Sequence, residues 1–290
     1  MMNDKLKNFL IRTASGIVLL AVMLGAIMWS KWSFGVLLLA IIIGGEREFY
    51  RMATKAGYKP QKLVGYLAGA TIFIIAFACM LFLISDNTAS GELLALAMVL
   101  ILYIMLLLPM MFVSELFRKT TTPIANIGTT LMGIVYVAMP ISLLLFIIVM
   151  LGNGEWSPLA ALFYIFIIWA NDVFAYLFGI TLGKHRLFER ISPKKSWEGF
   201  IGGLLGAMAM GYVAAVVTGG NNIEWIGMAL IAAISGVFGD LVESLFKRSV
   251  DVKDSGRMLP GHGGWLDRFD ALLLSVPFVF LYLVLCAVVR

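Results

Sequence analysis

The chain has 290 residues, 61% of them apolar and 13% charged, with a mean hydropathy of +0.96. That is too apolar for a soluble domain of this length and too long for one membrane anchor, so the sequence reads as an all-α polytopic membrane protein. The formal net charge of +5 then reports membrane topology before it reports a ligand, and nucleic-acid binding is a poor explanation of it.

A membrane-crossing helix needs about 20 mostly apolar residues. Such stretches run at 14–30, 33–50, 63–84, 92–113, 128–150, 158–181, 200–218, 225–246 and 271–289, so nine transmembrane helices are expected. The first has a basic flank but no small-residue cleavage site behind it, and reads as a retained helix rather than a signal peptide. It passes into the second across Lys31 and Trp32 as a tight hairpin. Glu46, Arg47 and Glu48 end that second span and read as a cytoplasmic interface cluster.

With the N-terminus inside, twenty Lys and Arg residues fall on the cytoplasmic face and two, Lys31 and Arg290, on the other. Basic residues are retained on the cytoplasmic side, so the expectation is a multi-pass cell-membrane protein with its N-terminus cytoplasmic and its C-terminus outside. Cys79 and Cys286 both lie in apolar spans and read as small packing residues. Up to about Leu151 the polar residues keep to loops, whereas after Ser157 they enter the spans. The chain therefore reads as one integral membrane domain, 1–290, with a helical scaffold portion at 1–151 and a catalytic portion at 157–290.

Along that second portion, Asn171 and Asp172 come first, about 18 Å of helix below Lys184. An acidic group facing lipid costs about 2.5–3.5 kcal/mol, so Asp172, Asp240 and Glu243 together would cost roughly 8–10 kcal/mol unless they face a hydrated cavity or a cation. Lys194, Lys195 and Ser196 precede a helix expected to start near Trp197, which puts two cations and backbone donors where a phosphate binds well. GITLGKH, Gly179–His185, is one residue too short between its glycines for a P-loop, and no Ser or Thr follows Lys184. The small residues Gly199, Gly203, Ala207 and Gly211 recur every fourth position of the seventh span and read as a helix-packing stripe, one that would also permit a homodimer contact.

Asp240, Glu243, Ser244 and Lys247 lie at i, i+3, i+4 and i+7 of the eighth span, one polar stripe climbing about 10 Å toward the cytoplasm. It reads as one wall of a site. The segment Ser244–Asp270 that follows carries five basic residues and a His. Gly261, Gly263 and Gly264 surround His262, and glycines there let backbone N–H groups approach an anion. Asp267 and Asp270 share a face where the last helix begins. Beside Asp240 they look like oxygen ligands for a hard cation such as Mg²⁺.

SLFKR, KDSG (Lys253–Gly256), LPGHGG (Leu259–Gly264) and LDRFD (Leu266–Asp270) together resemble the signature of the phosphatidate cytidylyltransferase, or CDP-diacylglycerol synthase, family. ISPKKSWEGFIGG and ANDVFAYLFG are similar to those enzymes as well, so the resemblance covers about the last 130 residues. Trp265 departs from it where an aliphatic residue is usual, and Ser196 stands where Thr is frequent. The resemblance implies condensation of CTP with phosphatidic acid at the cytoplasmic face of the membrane, with pyrophosphate released and Mg²⁺ required. On that basis Asp240, Asp267 and Asp270 are expected to hold the metal. Lys194, Lys195, Lys247, Arg248, Lys253 and Arg268 would hold phosphates, with Ser196, Gly263 and Gly264 beside them. His262 would hydrogen-bond a phosphate rather than act as nucleophile. Asn171 and Asp172 would line the deep end of the cavity, either ordering a lysine or binding a second cation.

Three rivals are weaker. A CTP-dependent polyprenol or phytol kinase does not need the complete run from KDSG to LDRFD. A CDP-alcohol phosphotransferase spaces its aspartates four apart after a DG pair. A cation-coupled transporter could use Asp172 and Asp240 as ion ligands but has no need of a long polar loop with five cations.

Overall fold

A computed structural model describes residues 4–85, 90–258 and 263–289, with side chains from residue 13 onward except at residue 90. Gly261 and His262, and with them the LPGH part of the signature, lie outside the described residues. The described chain forms α1 (Asp4–Trp29), α2 (Lys31–Lys55), α3 (Lys62–Leu83), α4 (Ser90–Leu116), α5 (Pro123–Gly133), a π-helical turn (Ile134–Ala138) and α6 (Met139–Leu151). It continues through α7 (Pro158–Thr181), α8 (Trp197–Thr218), α9 (Asn222–Ser249) and α10 (Leu266–Val289). Among the described residues seven helical runs, with Pro123–Leu151 taken as one, are long and apolar enough to cross a membrane. The protein is thus a predominantly α-helical, multi-pass membrane protein. One departure from an all-helical chain is an antiparallel hairpin before α8, β1 (Arg186–Phe188) paired with β2 (Ser192–Ser196).

The chain divides into two compact units. The first comprises residues Met1–Cys79, Ala89–Met139 and Ser249–Phe269, and the second Met80–Thr88, Pro140–Arg248 and Asp270–Arg290.

In the first unit, α1 ends at Ser30 because Ser30 turns extended and begins a reciprocal cap. Its Oγ accepts the Ser33 N–H at 3.1 Å, and Ser33 Oγ accepts the Ser30 N–H at 3.0 Å. The apolar face of α2, from Phe34 through Ile42 to Tyr50, turns inward. Tyr50 Oη donates to the Thr130 carbonyl at 2.9 Å, tying α2 to α5. Gly44 has no Cβ to collide with the Trp265 indole, which approaches α2 closely at that point. In the most apolar stretch of α4 only 6% of residues are buried, so an apolar surface on all sides faces outward, as lipid contact requires.

In the second unit, the glycine stripe of α8 lets α7 close in. A Cβ at Gly199 would meet the Ala175 carbonyl, and one at Gly203 the Asn171 side chain. Gly211 does the same for Trp225 and Ala229 of α9. The stripe is therefore filled by helices of the same unit, the small-residue packing expected of membrane helices. Tyr164 Oη and Ser275 Oγ, 2.9 Å apart, join α7 to α10. Gly239 of α9 admits the backbone of Asp270 and Ala271, and this close approach positions the acidic groups described next.

Candidate active site

Three carboxylates gather where α9 meets α10: Asp240, Glu243 and Asp270 each offer an oxygen, all within 4.8 Å of one another. Of the ligands expected from the sequence, Asp240 and Asp270 belong to this cluster and Asp267 does not; Glu243, expected to face a hydrated cavity or a cation and to share the polar stripe, joins them. Its i+3 spacing from Asp240 was the available signal. Asp172 of α7 is close enough to add to the negative field at Asp270.

Two ammonium groups oppose these acids. Lys195 Nζ lies 2.6 Å from Asp240 Oδ2 and 3.4 Å from the Val237 carbonyl oxygen. Lys247, 9% exposed, forms an ion pair with fully buried Glu243 one turn before it on α9. Within the cluster itself, two ammonium groups face three carboxylates. Octahedral Mg²⁺ at about 2.1 Å from its ligands sets their oxygens about 3–4 Å apart, and the three carboxylates, with oxygens within 4.8 Å of one another, are the residues that would hold such an ion.

Beside the cluster is a cavity of about 440 Å³, with Asn171, Asp172, Arg186, Lys194, Lys195 and Asp240 in its wall. Tyr176, Ile180 and Phe200 supply its apolar side. Asn171 is 2% exposed, and its Oδ1 is buried with no hydrogen-bond partner. Such an atom costs about 1–3 kcal/mol unless a ligand satisfies it. Arg186 was not among the sequence-level candidates, because the hairpin that carries it into the cavity wall is too short to show a strand pattern.

Helix α8 starts at Trp197, with Ser196 as its cap: Ser196 Oγ accepts the Gly199 N–H at 3.1 Å. The Trp197 N–H donates to the His185 carbonyl at 2.9 Å. Two first-turn donors are thus engaged within the chain, and the lysines and Arg186 are left as the cationic lining of the cavity.

The signature segment has its own anchorage in the first unit. Asp267 Oδ2 accepts the Ser255 N–H (2.9 Å), the Ser255 hydroxyl contact (2.9 Å) and the Gly264 N–H (2.7 Å). Gly263 takes a positive φ of 81°, which favours glycine. Arg248, Lys253 and Arg268 are exposed. Glu46 and Glu48, read from sequence as an interface cluster, are instead buried, at 0% and 5% exposure, and Glu48 reaches the signature segment.

The fold and site define a multi-pass membrane protein with a polar, cation-lined cavity beside an acidic cluster. A model of the cytidylyltransferase family matches residues 10–286. A phosphatidate cytidylyltransferase of Staphylococcus aureus (strain COL) is 47% identical over 125 residues, which is 42% of this chain and 48% of the relative. One from Staphylococcus saprophyticus is 44% identical over the same length and shares. One from Rickettsia bellii (strain RML369-C) is 35% identical over 188 residues, 61% of this chain and 77% of the relative. The match spans about half the length of the staphylococcal relatives. The chain belongs to the cytidylyltransferase family.

Proposed function

We propose that the protein is a phosphatidate cytidylyltransferase, transferring CMP from CTP to phosphatidic acid to give CDP-diacylglycerol and pyrophosphate in phospholipid biosynthesis. The observation that carries this reading is the meeting of Lys194, Lys195 and Arg186 with Asp172 and Asp240 around one cavity. The names of the relatives support it.

In the reaction a phosphate oxygen of phosphatidic acid attacks the α-phosphorus of CTP, and the bond to the β-phosphate breaks to release pyrophosphate. The lipid phosphate is already anionic, so no strong general base is needed, and the demand on the protein is charge neutralisation and alignment. Asp240, Glu243 and Asp270 would hold Mg²⁺, with Asp267 one turn earlier on α10 as the further candidate ligand. Bound there, the ion supplies charge neutralisation on the phosphates. Lys194, Lys195 and Arg186 hold the triphosphate and lipid phosphate from the cavity side. Lys247, Arg248, Lys253 and Arg268, with the Gly263 and Gly264 backbone, His262 and Ser196, complete the cationic and donor groups of the proposal. Asn171 and Asp172, at the deep end, either order a lysine or bind a second cation. Tyr176, Ile180 and Phe200 offer an apolar side for acyl chains.

The same proposal gives the protein nine spans in the cell membrane, N-terminus inside, C-terminus outside, with its site facing the cytoplasm. Residues 157–290 carry the chemistry on the scaffold of 1–151. The test is purified protein with phosphatidic acid, Mg²⁺ and CTP labelled at either the α- or the γ-phosphate. Label moving from the α position into lipid is the expected result. Label moving from the γ position would make the protein a kinase, and no turnover would favour a transporter.

A further inference from the structure

Glu48 lies on α2, 207 residues from Ser255, yet its carboxylate is built into the signature segment. Glu48 Oε2 accepts the Ser255 hydroxyl at 2.8 Å and the Leu266 N–H at 3.0 Å. A Cβ at either Gly256 or Gly264 would overlap this carboxylate, so the group is gripped between two glycines of the segment it binds. One turn further along α2, the Arg51 guanidinium donates to the Ser255 carbonyl. Helix α2 therefore holds Ser255 by its hydroxyl and by its carbonyl. Ser255 in turn supplies two of the contacts to Asp267 Oδ2, and the Gly264 N–H supplies a third.

A side chain that is 5% exposed and ionisable is costly to bury unless its hydrogen bonds compensate. The segment it holds carries Lys253, Gly263, Gly264 and Asp267, all part of the proposed function. Two of its glycines are glycine for want of space beside Glu48 rather than for backbone freedom alone. A solvated interface cluster would show none of this.

We infer that Glu48 is a positioning residue for the transfer reaction, acting through Ser255 to fix Asp267 and the Gly264 amide, with Arg51 as its partner on α2. The inference rests on the functional reading above. The contacts of Glu48 are to the Ser255 hydroxyl and the Leu266 N–H, so its contribution is to alignment. Misplacement of a reacting group by about 1 Å costs on the order of 100-fold in rate.

The experiment compares Glu48→Ala, Glu48→Gln, Ser255→Ala and the Glu48→Ala/Ser255→Ala double variant in lipid nanodiscs, by steady-state kinetics and by hydrogen exchange over residues 252–266. Glu48→Ala and Ser255→Ala are each expected to lower kcat by about 10- to 100-fold, with KM for phosphatidic acid within about twofold of wild type. The double variant should be no slower than the slower single one, because both cut the same chain of contacts. Glu48→Gln, which keeps length and an acceptor oxygen, should recover most of the rate. Exchange over 252–266 should quicken in both alanine variants and not in the glutamine variant. Independent, multiplying losses in the double variant, or wild-type kcat per folded molecule in both alanine variants, would overturn the inference. If wild type fails to move the α-label into lipid, the functional reading falls while the exchange comparison still decides the clamp. Unchanged exchange in both alanine variants overturns the clamp whatever the activity. Ser255→Ala removes one oxygen and no volume from the packing, so it keeps the test decisive if Glu48→Ala does not fold.

Discussion

Asp240 is the residue on which the second unit's polar contacts converge. It faces the cavity, pairs with Lys195 at 2.6 Å and belongs to the cluster with Glu243 and Asp270. Asp240→Asn keeps the shape, removes the charge and is expected to lower kcat by about 10²- to 10³-fold, the range seen when one electrostatic contact to a developing charge is lost. The required Mg²⁺ concentration should rise in the same variant, and a metal titration of initial rates measures both. Lys195→Ala has a different expected signature. It should raise KM for CTP more than it lowers kcat, and Lys195→Arg should restore only part of the affinity, since a guanidinium does not reproduce a point charge on a flexible stem. Removing the metal with EDTA should abolish turnover, and Mg²⁺ should restore it.

At this scale the sequence was informative where polar residues stood against an apolar background. Asp172 and Asp240 were visible because lipid exposure would be so unfavourable for them, and Lys194 and Lys195 because they precede a helix start. Glu48 was not visible. It sits at the end of an apolar run beside Arg47 and Glu46, a pattern that also suits a charged interface, and its partners are more than 200 residues away in the chain. Asp267 was visible as an acid but not as an acceptor for Ser255 and Gly264, because loop contacts leave no periodic trace.

Among the elements, α7 and α8 show how small residues set the site. Gly203 lies against Asn171, the orphaned amide of the cavity wall, and Gly199 against Ala175. Gly203→Val is expected to destabilise the protein by about 1–3 kcal/mol through overpacking and to lower activity by displacing Asn171. Thermal unfolding in detergent, followed beside activity, reads both. A second element-level contact stabilises rather than reacts. Buried Glu115, at the end of α4, accepts from Gln61 at 2.6 Å, Thr120 at 2.6 Å, Arg118 at 2.7 Å and Asn126 at 3.0 Å. Glu115→Ala leaves those donors unsatisfied and should cost about 2 kcal/mol or more, with kcat per folded molecule unchanged. The start of α8 at Trp197 was legible in sequence, and Ser196 caps it. The hairpin β1–β2 was not, because SPKKS has neither alternation nor branched residues to mark a strand.

For the whole molecule, the apolar exterior of α4 and the buried polar groups of α7 to α10 describe opposite requirements met in one membrane protein. The expected topology can be read with single cysteines at Thr120 and Asn153 and an impermeant thiol reagent in intact cells: Asn153→Cys should label from outside and Thr120→Cys only after permeabilisation. The central claim is that the acidic cluster of α9 and α10 brings a divalent cation to the phosphates of CTP. Its most direct measurement is pulsed electron paramagnetic resonance of Mn²⁺ bound in place of Mg²⁺, with CTP present, for wild type, Asp240→Asn and Asp270→Asn. Coupling of Mn²⁺ to phosphorus in wild type, lost or much weakened in both variants, is the predicted result. Phosphorus coupling of full strength in both variants would contradict the account.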